Sequence, residues 1–96
     1  MAGVTDVTEA PGRFRVEELA DAAGVAVDTV RYYQRRKLLA PPERVGRVAV
    51  YDEEHLARLR EIRSLAERGF TLAQIKELST DDARGLLADL AAQDAP

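Results

Sequence analysis

Residues 16–37, VEELADAAGVAVDTVRYYQRRK, decide the fold of this chain. Apolar side chains recur at helical spacing over residues 16–23, which predicts a first helix that Gly24 ends. The pattern resumes after a short turn at residues 24–26 and predicts a second helix from residue 27 or 28 to about residue 37. Two short helices joined by so tight a turn indicate a helix-turn-helix.

The predicted second helix has an apolar side and a polar side. Val27, Val30 and Tyr33 recur at helical spacing and are expected to point into the core. The residues expected on the outside are Arg31, Tyr32, Gln34, Arg35 and Arg36. The outer side of this helix is therefore strongly basic.

A hairpin is predicted after the second helix. The prolines at residues 41–42 prevent the helix from continuing. Residues 43–51 are rich in residues that favour strands, with Gly46 at the tip between Arg44 and Arg47. A short hairpin with arginines at its tip is typical of a DNA-binding wing.

Three further helices are predicted beyond the hairpin. Asp52 is expected to cap a third helix over residues 53–68. Thr71, followed three positions later by Gln74, predicts a capping box at the start of a fourth. Apolar residues within residues 81–93 predict a last helix, whose leucines either fold back on the domain or meet a partner.

Composition excludes several classes of function. The chain has 96 residues, which is enough for one small domain. It has no cysteine and a single histidine, His55, so disulfides, thiolate metal sites and multi-histidine metal sites are excluded. We find no nucleophile–base constellation and no phosphate-binding loop, so neither an enzyme nor a cofactor is expected. No apolar run is long enough for a membrane span and residues 1–12 do not resemble a secretion signal, so the expected compartment is the cytoplasm.

The distribution of charge is more informative than its sum. The net charge is −3, which by itself does not suggest nucleic-acid binding. Residues 31–47, however, contain six basic residues against Glu43 alone. A local basic stripe of this kind is what phosphate binding requires. A charge run considered alone is more often a solvated face, so its position on a helix-turn-helix decides the interpretation.

Several stretches of the sequence together resemble the N-terminal domain of MerR-type transcription regulators. They are FRVEELA (14–20), GVAVDTVRYY (24–33), LLAPP (38–42), Tyr51, HLARL (55–59) and RGFTLAQIKEL (68–78). These stretches cover about residues 13–79 in the order and at the spacing of the family. TVRYY and RGFTL are the most specific parts.

The resemblance implies a mostly α fold, a four-helix winged helix-turn-helix with a small β-hairpin wing, here followed by a short extra C-terminal helix. Residues 1–12 would be a flexible leader, residues 13–79 the DNA-binding domain, and residues 80–96 the extra helix and tail. The second helix would enter the major groove, the hairpin would be one wing, and the junction of the third and fourth helices a second. Members of the family bind palindromic promoter DNA as dimers and distort it to assist or block RNA polymerase.

The sequence departs from the family in three places. Ala26 stands where the recognition helix usually opens with serine or threonine, which removes a cap worth about 1 kcal/mol. Residues 48–50, Val-Ala-Val, stand where the wing usually has Gly-Tyr-Arg, so which of Arg44 and Arg47 reaches DNA is open. Only residues 80–93 follow the fourth helix, so we expect the long dimerisation helix and effector domain of the family to be missing. Without cysteine, metal sensing of the family kind is not expected.

Given this resemblance, the predicted DNA-binding residues are Val27, Asp28, Thr29, Arg31, Tyr32, Tyr33, Arg35, Arg36, Arg44, Arg47 and Arg63. Arg31 is expected to bind a phosphate or a guanine edge. Its alternative is an ion pair with Glu17, Asp21 or Asp28. Tyr32 is expected to donate to a phosphate, whereas Tyr33 is expected to be a core residue with its hydroxyl near the DNA. Arg63 matches a basic family position near the second wing.

Two functions from different classes follow. The first is a sequence-specific regulator that binds double-stranded promoter DNA, as a monomer, a weak dimer or a head-to-tail array of copies, and that contacts RNA polymerase. The second is a protein-interaction adaptor that uses the acidic last helix, with Leu86, Leu87 and Leu90, to dock on a transcription partner. The acidic net charge and Ala26 favour the adaptor, and the arginines of the second helix and the wing favour DNA.

Overall fold

A helix-turn-helix is present where the sequence predicts it. The computed structural model describes residues 12–78 and 80–94. Its elements in chain order are β1 (Arg13–Phe14), α1 (Val16–Ala23), α2 (Val27–Arg35), β2 (Glu43–Val45), β3 (Val48–Asp52), α3 (Glu53–Glu67), α4 (Leu72–Glu77) and α5 (Thr80–Asp94). The expected leader lies outside the described residues except for Gly12. Within the two described ranges, no helix is both long enough and apolar enough to cross a bilayer.

The turn between α1 and α2 depends on Gly24. Its φ of 72° lies in the left-handed region, where glycine is favoured. The Gly24 N–H donates to the Asp21 carbonyl at 3.1 Å, and the Val25 N–H donates to the Ala20 carbonyl at 2.9 Å. A Cβ atom at Gly24 would meet the Arg63 guanidinium, but that is the end of a flexible side chain and can shift, so the left-handed backbone is what favours glycine here.

The second helix ends earlier than predicted. The sequence predicts its end at about Lys37, whereas α2 ends at Arg35. Lys37 adopts a left-handed conformation with a φ of 63°, which is rare for a residue other than glycine. The Lys37 N–H donates to the Gln34 carbonyl at 3.0 Å and the Leu38 N–H to the Tyr33 carbonyl at 2.9 Å, which closes the helix. Helix propensity alone does not predict that the backbone leaves the helical conformation before Lys37.

The hairpin is part of a three-stranded antiparallel sheet with the order β1-β3-β2. Strands β2 and β3 form the predicted hairpin, and Gly46 turns it with a φ of 64°. Strand β1 was not predicted, because a two-residue strand has no periodic pattern of its own. In β1, Phe14 pairs with Tyr51 of β3, so the start of the domain is tied to the hairpin.

Two apolar clusters hold the helices and the sheet together. The first joins α1, α2, β3 and α3, and its buried residues are Leu19, Ala20, Ala23, Val30, Leu39, Tyr51, Leu56 and Leu59. The second joins the chain after α2 to α3, α4 and α5, and its buried residues are Leu38, Ile62, Leu65, Ile75 and Ala83. Tyr33 packs against both clusters. Leu86 and Leu87 of α5 pack against the second, so α5 folds back on the domain.

The predicted caps of α3 and α4 are confirmed. The Asp52 carboxylate accepts hydrogen bonds from the N–H groups of Glu54 and His55 at 3.0 and 3.1 Å. The Thr71 hydroxyl accepts from the Gln74 N–H at 3.1 Å, and the Gln74 side chain accepts from the Thr71 N–H at 2.8 Å. These local signals fix where each helix begins.

Candidate nucleic-acid interface

The inner side of α2 anchors the helix in the first apolar cluster. Val30 is fully buried, and Val27 and Tyr33 are half-buried against the same cluster. Val27 was expected both to face the core and to bind DNA, and the structure places it against the core. The remaining side of α2 is left to solvent.

Five exposed arginines lie on α2, directly after it and on the hairpin, and we call them the basic surface: Arg31, Arg35, Arg36, Arg44 and Arg47. Within residues 12–78 and 80–94, none of their side chains forms an ion pair or a hydrogen bond. The alternative in which Arg31 pairs with a nearby carboxylate is therefore absent from this part of the chain. Unpaired guanidinium groups on one surface present donors for bidentate contact with an anion.

An exposed tyrosine lies among these arginines. Tyr32 is 38% exposed, which is high for a large apolar ring. The guanidinium carbons of Arg35 and Arg36 lie 6.0 and 5.8 Å from the centre of its ring. These distances are at the outer limit for a cation–π interaction. The ring therefore lies among positive groups on the exposed side of α2, as the sequence predicts for Tyr32.

Helix α2 begins without a side-chain cap, as the sequence predicts. The Ala26 side chain makes no capping hydrogen bond. Asp28 is exposed in the first turn, where a carboxylate stabilises the positive end of the helix dipole. Thr29 is half-buried beside it. These two polar residues lie at the end of α2 that enters the groove in helix-turn-helix proteins.

A hydrogen bond that the sequence did not reveal joins the hairpin to α2. The Tyr51 hydroxyl donates to the Gln34 side-chain oxygen at 2.9 Å. Gln34 was expected outside but is half-buried. Burial raises the pKa of the Tyr51 hydroxyl, and the Gln34 hydrogen bond and the charges of Arg31 and Arg44 only partly oppose this. The hydroxyl is therefore a stable donor at neutral pH.

Arg63 lies apart from the basic surface and has partners within the protein. Its Nη1 donates to the Ala23 carbonyl at the end of α1, at 3.2 Å, and its Nε donates to the Glu67 carboxylate at 3.1 Å. A cation at this end satisfies carbonyls that the helix leaves without partners. Of the predicted DNA-binding arginines, Arg63 is the one whose guanidinium contacts the fold in this way.

A buried carboxylate on α3 was also missed. Glu61 is 6% exposed and is the one buried charged residue in the described ranges. One of its oxygens lies 2.8 Å from Arg84 Nε of α5, and the other lies 3.5 Å from Arg58 Nη1. Arg58 Nε in turn donates to the Leu38 carbonyl at 3.0 Å. No sequence signal pairs Glu61 with Arg84, because they lie on different helices.

Comparison with known proteins identifies relatives among transcription regulators. The chain is 41% identical over 88 residues to the nodulation protein NolA of a Bradyrhizobium species, covering 91% of this chain and 36% of that protein. It is 42% identical over 67 residues to the mercuric resistance operon regulatory protein of Bacillus cereus, covering 69% of this chain and 51% of that protein. The chain thus spans about half or less of the length of these relatives.

Solved structures agree in fold. A transcription regulator from Ralstonia metallidurans, crystallised with lead(II), matches 83% of this chain and 70% of its own with a TM-score of 0.63 and 34% identity. A MerR-family regulator from Bacillus cereus matches 85% of this chain and 70% of its own, also with a TM-score of 0.63, at 26% identity. The family model of MerR helix-turn-helix regulatory proteins matches residues 14–82. This chain therefore belongs to the MerR helix-turn-helix family of regulatory proteins.

Proposed function

We propose that the chain is a transcriptional regulator that binds double-stranded promoter DNA in a sequence-specific manner. Helix α2 enters the major groove, and the β2–β3 hairpin lies against the adjacent backbone as a wing. The observation that supports this most directly is the basic surface, because the side chains of its arginines have no ion pair and no hydrogen bond among the described residues. Membership of a family of regulators supports the same function.

The residues of the basic surface divide into two roles. Arg31 lies one turn into α2, close enough to its start to reach a base edge or the phosphate beside it. Arg35, Arg36, Arg44 and Arg47 bind phosphates, which fixes the register of the protein but not the sequence it reads. Thr29 and Asp28 contact bases at the start of α2, and Tyr32 donates its hydroxyl to a phosphate. Arg63 contributes less than Arg31, since its guanidinium already has two partners.

More than one copy binds each operator. A single domain of this size contacts few base pairs, so one copy discriminates poorly between sites. An inverted repeat would indicate a symmetric pair of copies, and a direct repeat would indicate a head-to-tail array.

The adaptor alternative receives less support. Leu86 and Leu87 pack against the second apolar cluster, so they are used inside the domain. The outer side of α5 that is left is acidic, with Asp81, Asp82 and Asp89 exposed. A contact with RNA polymerase would use this acidic side rather than a leucine face.

In-vitro selection of random duplex DNA with the purified protein at near-physiological salt tests the proposal. Enrichment of one motif is the expected result, and the arrangement of its half-sites gives the number and order of copies. The Arg31→Ala variant should enrich nothing, whereas Arg60→Ala, which removes an equal charge from α3, should enrich the wild-type motif. A folded protein that enriches no sequence would contradict DNA regulation and favour the adaptor.

A further inference from the structure

The Tyr51–Gln34 contact lies where the recognition helix meets the hairpin. Tyr51 is 4% exposed and belongs to β3, and Gln34 is in the last turn of α2. Across the described ranges, theirs is the side-chain hydrogen bond that joins the sheet to α2. The hairpin otherwise reaches α2 through apolar packing, which does not fix an orientation as a hydrogen bond does.

The register of the sheet places Arg44 near this contact. Arg44 of β2 pairs with Ala49 of β3. Residues opposite each other in an antiparallel pair share a face, and residues two apart along a strand share a face. Arg44 and Tyr51 therefore lie on the same face of the sheet. The charge of Arg44 acts on the Tyr51 hydroxyl, which agrees with that placement.

On the helix side, Arg31 occupies the matching position. Residues three apart in a helix are neighbours on its surface, so Arg31 lies beside Gln34. The charge of Arg31 also acts on the Tyr51 hydroxyl. The hydrogen bond thus lies between one arginine of the helix and one arginine of the wing, and neither arginine has an internal partner in the part of the chain described.

We propose that Tyr51 and Gln34 are positioning residues that hold the wing at a fixed angle to α2, so that Arg31 and Arg44 bind the same stretch of DNA together. The inference rests on the proposed DNA binding. Gln34 acts here through its oxygen, as an acceptor for Tyr51, and the contact sets where Arg44 meets the backbone. Without it, the wing moves relative to α2, and Arg44 no longer adds to the binding that Arg31 provides.

Four variants test this on the duplex enriched by selection, with affinity measured by fluorescence anisotropy. Tyr51→Phe and Gln34→Leu each remove the hydrogen bond, and each should weaken binding by about 3- to 10-fold, the range of one net hydrogen bond. The double variant should be no weaker than either single variant, because both remove the same contact. Gln34→Met keeps the length of the side chain but offers no comparable acceptor, so it should weaken binding as much as Gln34→Leu does.

A merely structural role is distinguished by two further measurements. Arg84→Ala removes an internal hydrogen bond between α5 and α3, that with Glu61, and should lower the melting temperature without weakening binding. Arg44→Ala should weaken wild-type binding but add little to Tyr51→Phe, whose salt dependence should already be shallower by about one phosphate contact. Additive effects of Arg44→Ala and Tyr51→Phe, or unchanged affinity in Tyr51→Phe, would overturn the inference. If the wild type binds no duplex, the proposed function fails instead.

Discussion

Two groups of arginines in this molecule differ in their partners. Those of the basic surface, on α2 and the hairpin, are exposed and unpaired within residues 12–78 and 80–94. Those of α3 and α5 are engaged with the protein: Arg58 and Arg84 contact Glu61, and Arg63 contacts Ala23 and Glu67. The residue type is the same in both regions, so its surroundings decide its role.

This difference separates binding from folding. An arginine without an internal partner contributes little to stability, and its charge is available to an external anion. An arginine bonded to a buried carboxylate or a helix carbonyl stabilises the fold, and its removal leaves a polar group without a partner. We call the first group the binding group, because substitutions in it should change DNA binding. We call the second the folding group, because substitutions in it should change stability.

The largest effect is expected at Glu61. Glu61→Ala leaves the mostly buried Arg58 without its carboxylate, and we expect the free energy of unfolding to fall by about 3 kcal/mol. Arg84→Ala should lower it much less, because the Arg84 side chain is more than half exposed and Arg58 still contacts Glu61. Urea denaturation followed by circular dichroism measures both. Equal effects of the two variants would show that the buried carboxylate is not the centre of this cluster.

Arg31→Ala should have the opposite signature. Loss of one bidentate contact should weaken binding to the selected duplex by about 10- to 100-fold, equivalent to about 1–3 kcal/mol. The melting temperature should stay within error of the wild type, since Arg31 has no bond to lose in the described part of the chain. Anisotropy titration and thermal denaturation of one preparation provide both values. A large fall in melting temperature would place Arg31 in the folding group.

The carboxylates should divide in the same way, and Asp52 belongs to the folding group. Asp52→Ala removes the cap of α3 and should cost about 1 kcal/mol of stability. Partial burial opposes ionisation of Asp52, but hydrogen bonds from His55 and Glu54 outweigh it and lower the pKa of its carboxyl below 3.8. The stabilisation that ionised Asp52 provides is therefore complete above the pKa that its carboxyl has in the unfolded chain. It is lost as pH falls through the lower pKa that the carboxyl has in the folded protein. The difference between wild type and Asp52→Asn should shrink over that window in acid denaturation.

The smallest effect is expected at Lys37, on the border between the two groups. Its φ of 63° is strained for a residue with a side chain. Lys37→Gly relieves this strain but adds freedom to the unfolded chain, so the net gain in stability should be below about 1 kcal/mol. Calorimetry measures that gain. A parallel loss of DNA affinity would add Lys37 to the binding group.

The sequence predicts most of the local structure and only part of the site. Gly24, Asp52 and Thr71 act within a few residues of themselves, so the ends they set for α1, α3 and α4 follow from pattern and capping. The basic surface was also predictable, because helical spacing separates Arg31 and Arg35 from Val30, and the arginines of the hairpin lie on either side of Gly46 at its tip. Three features join residues that are distant in sequence: strand β1, the Tyr51–Gln34 hydrogen bond and the Glu61–Arg84 pair. Such contacts depend on how the helices pack, which a local pattern does not encode.

The most direct test of the division between the two groups is the salt dependence of DNA binding. The logarithm of the binding constant of wild type should fall linearly with the logarithm of salt concentration, with a slope of about 0.9 per phosphate contacted. Arg44→Ala and Arg47→Ala should each make the slope shallower by about one contact, whereas Arg60→Ala and Arg84→Ala should leave it unchanged. Equal changes of slope in all four variants would show that net charge, and not the unpaired basic surface, governs binding.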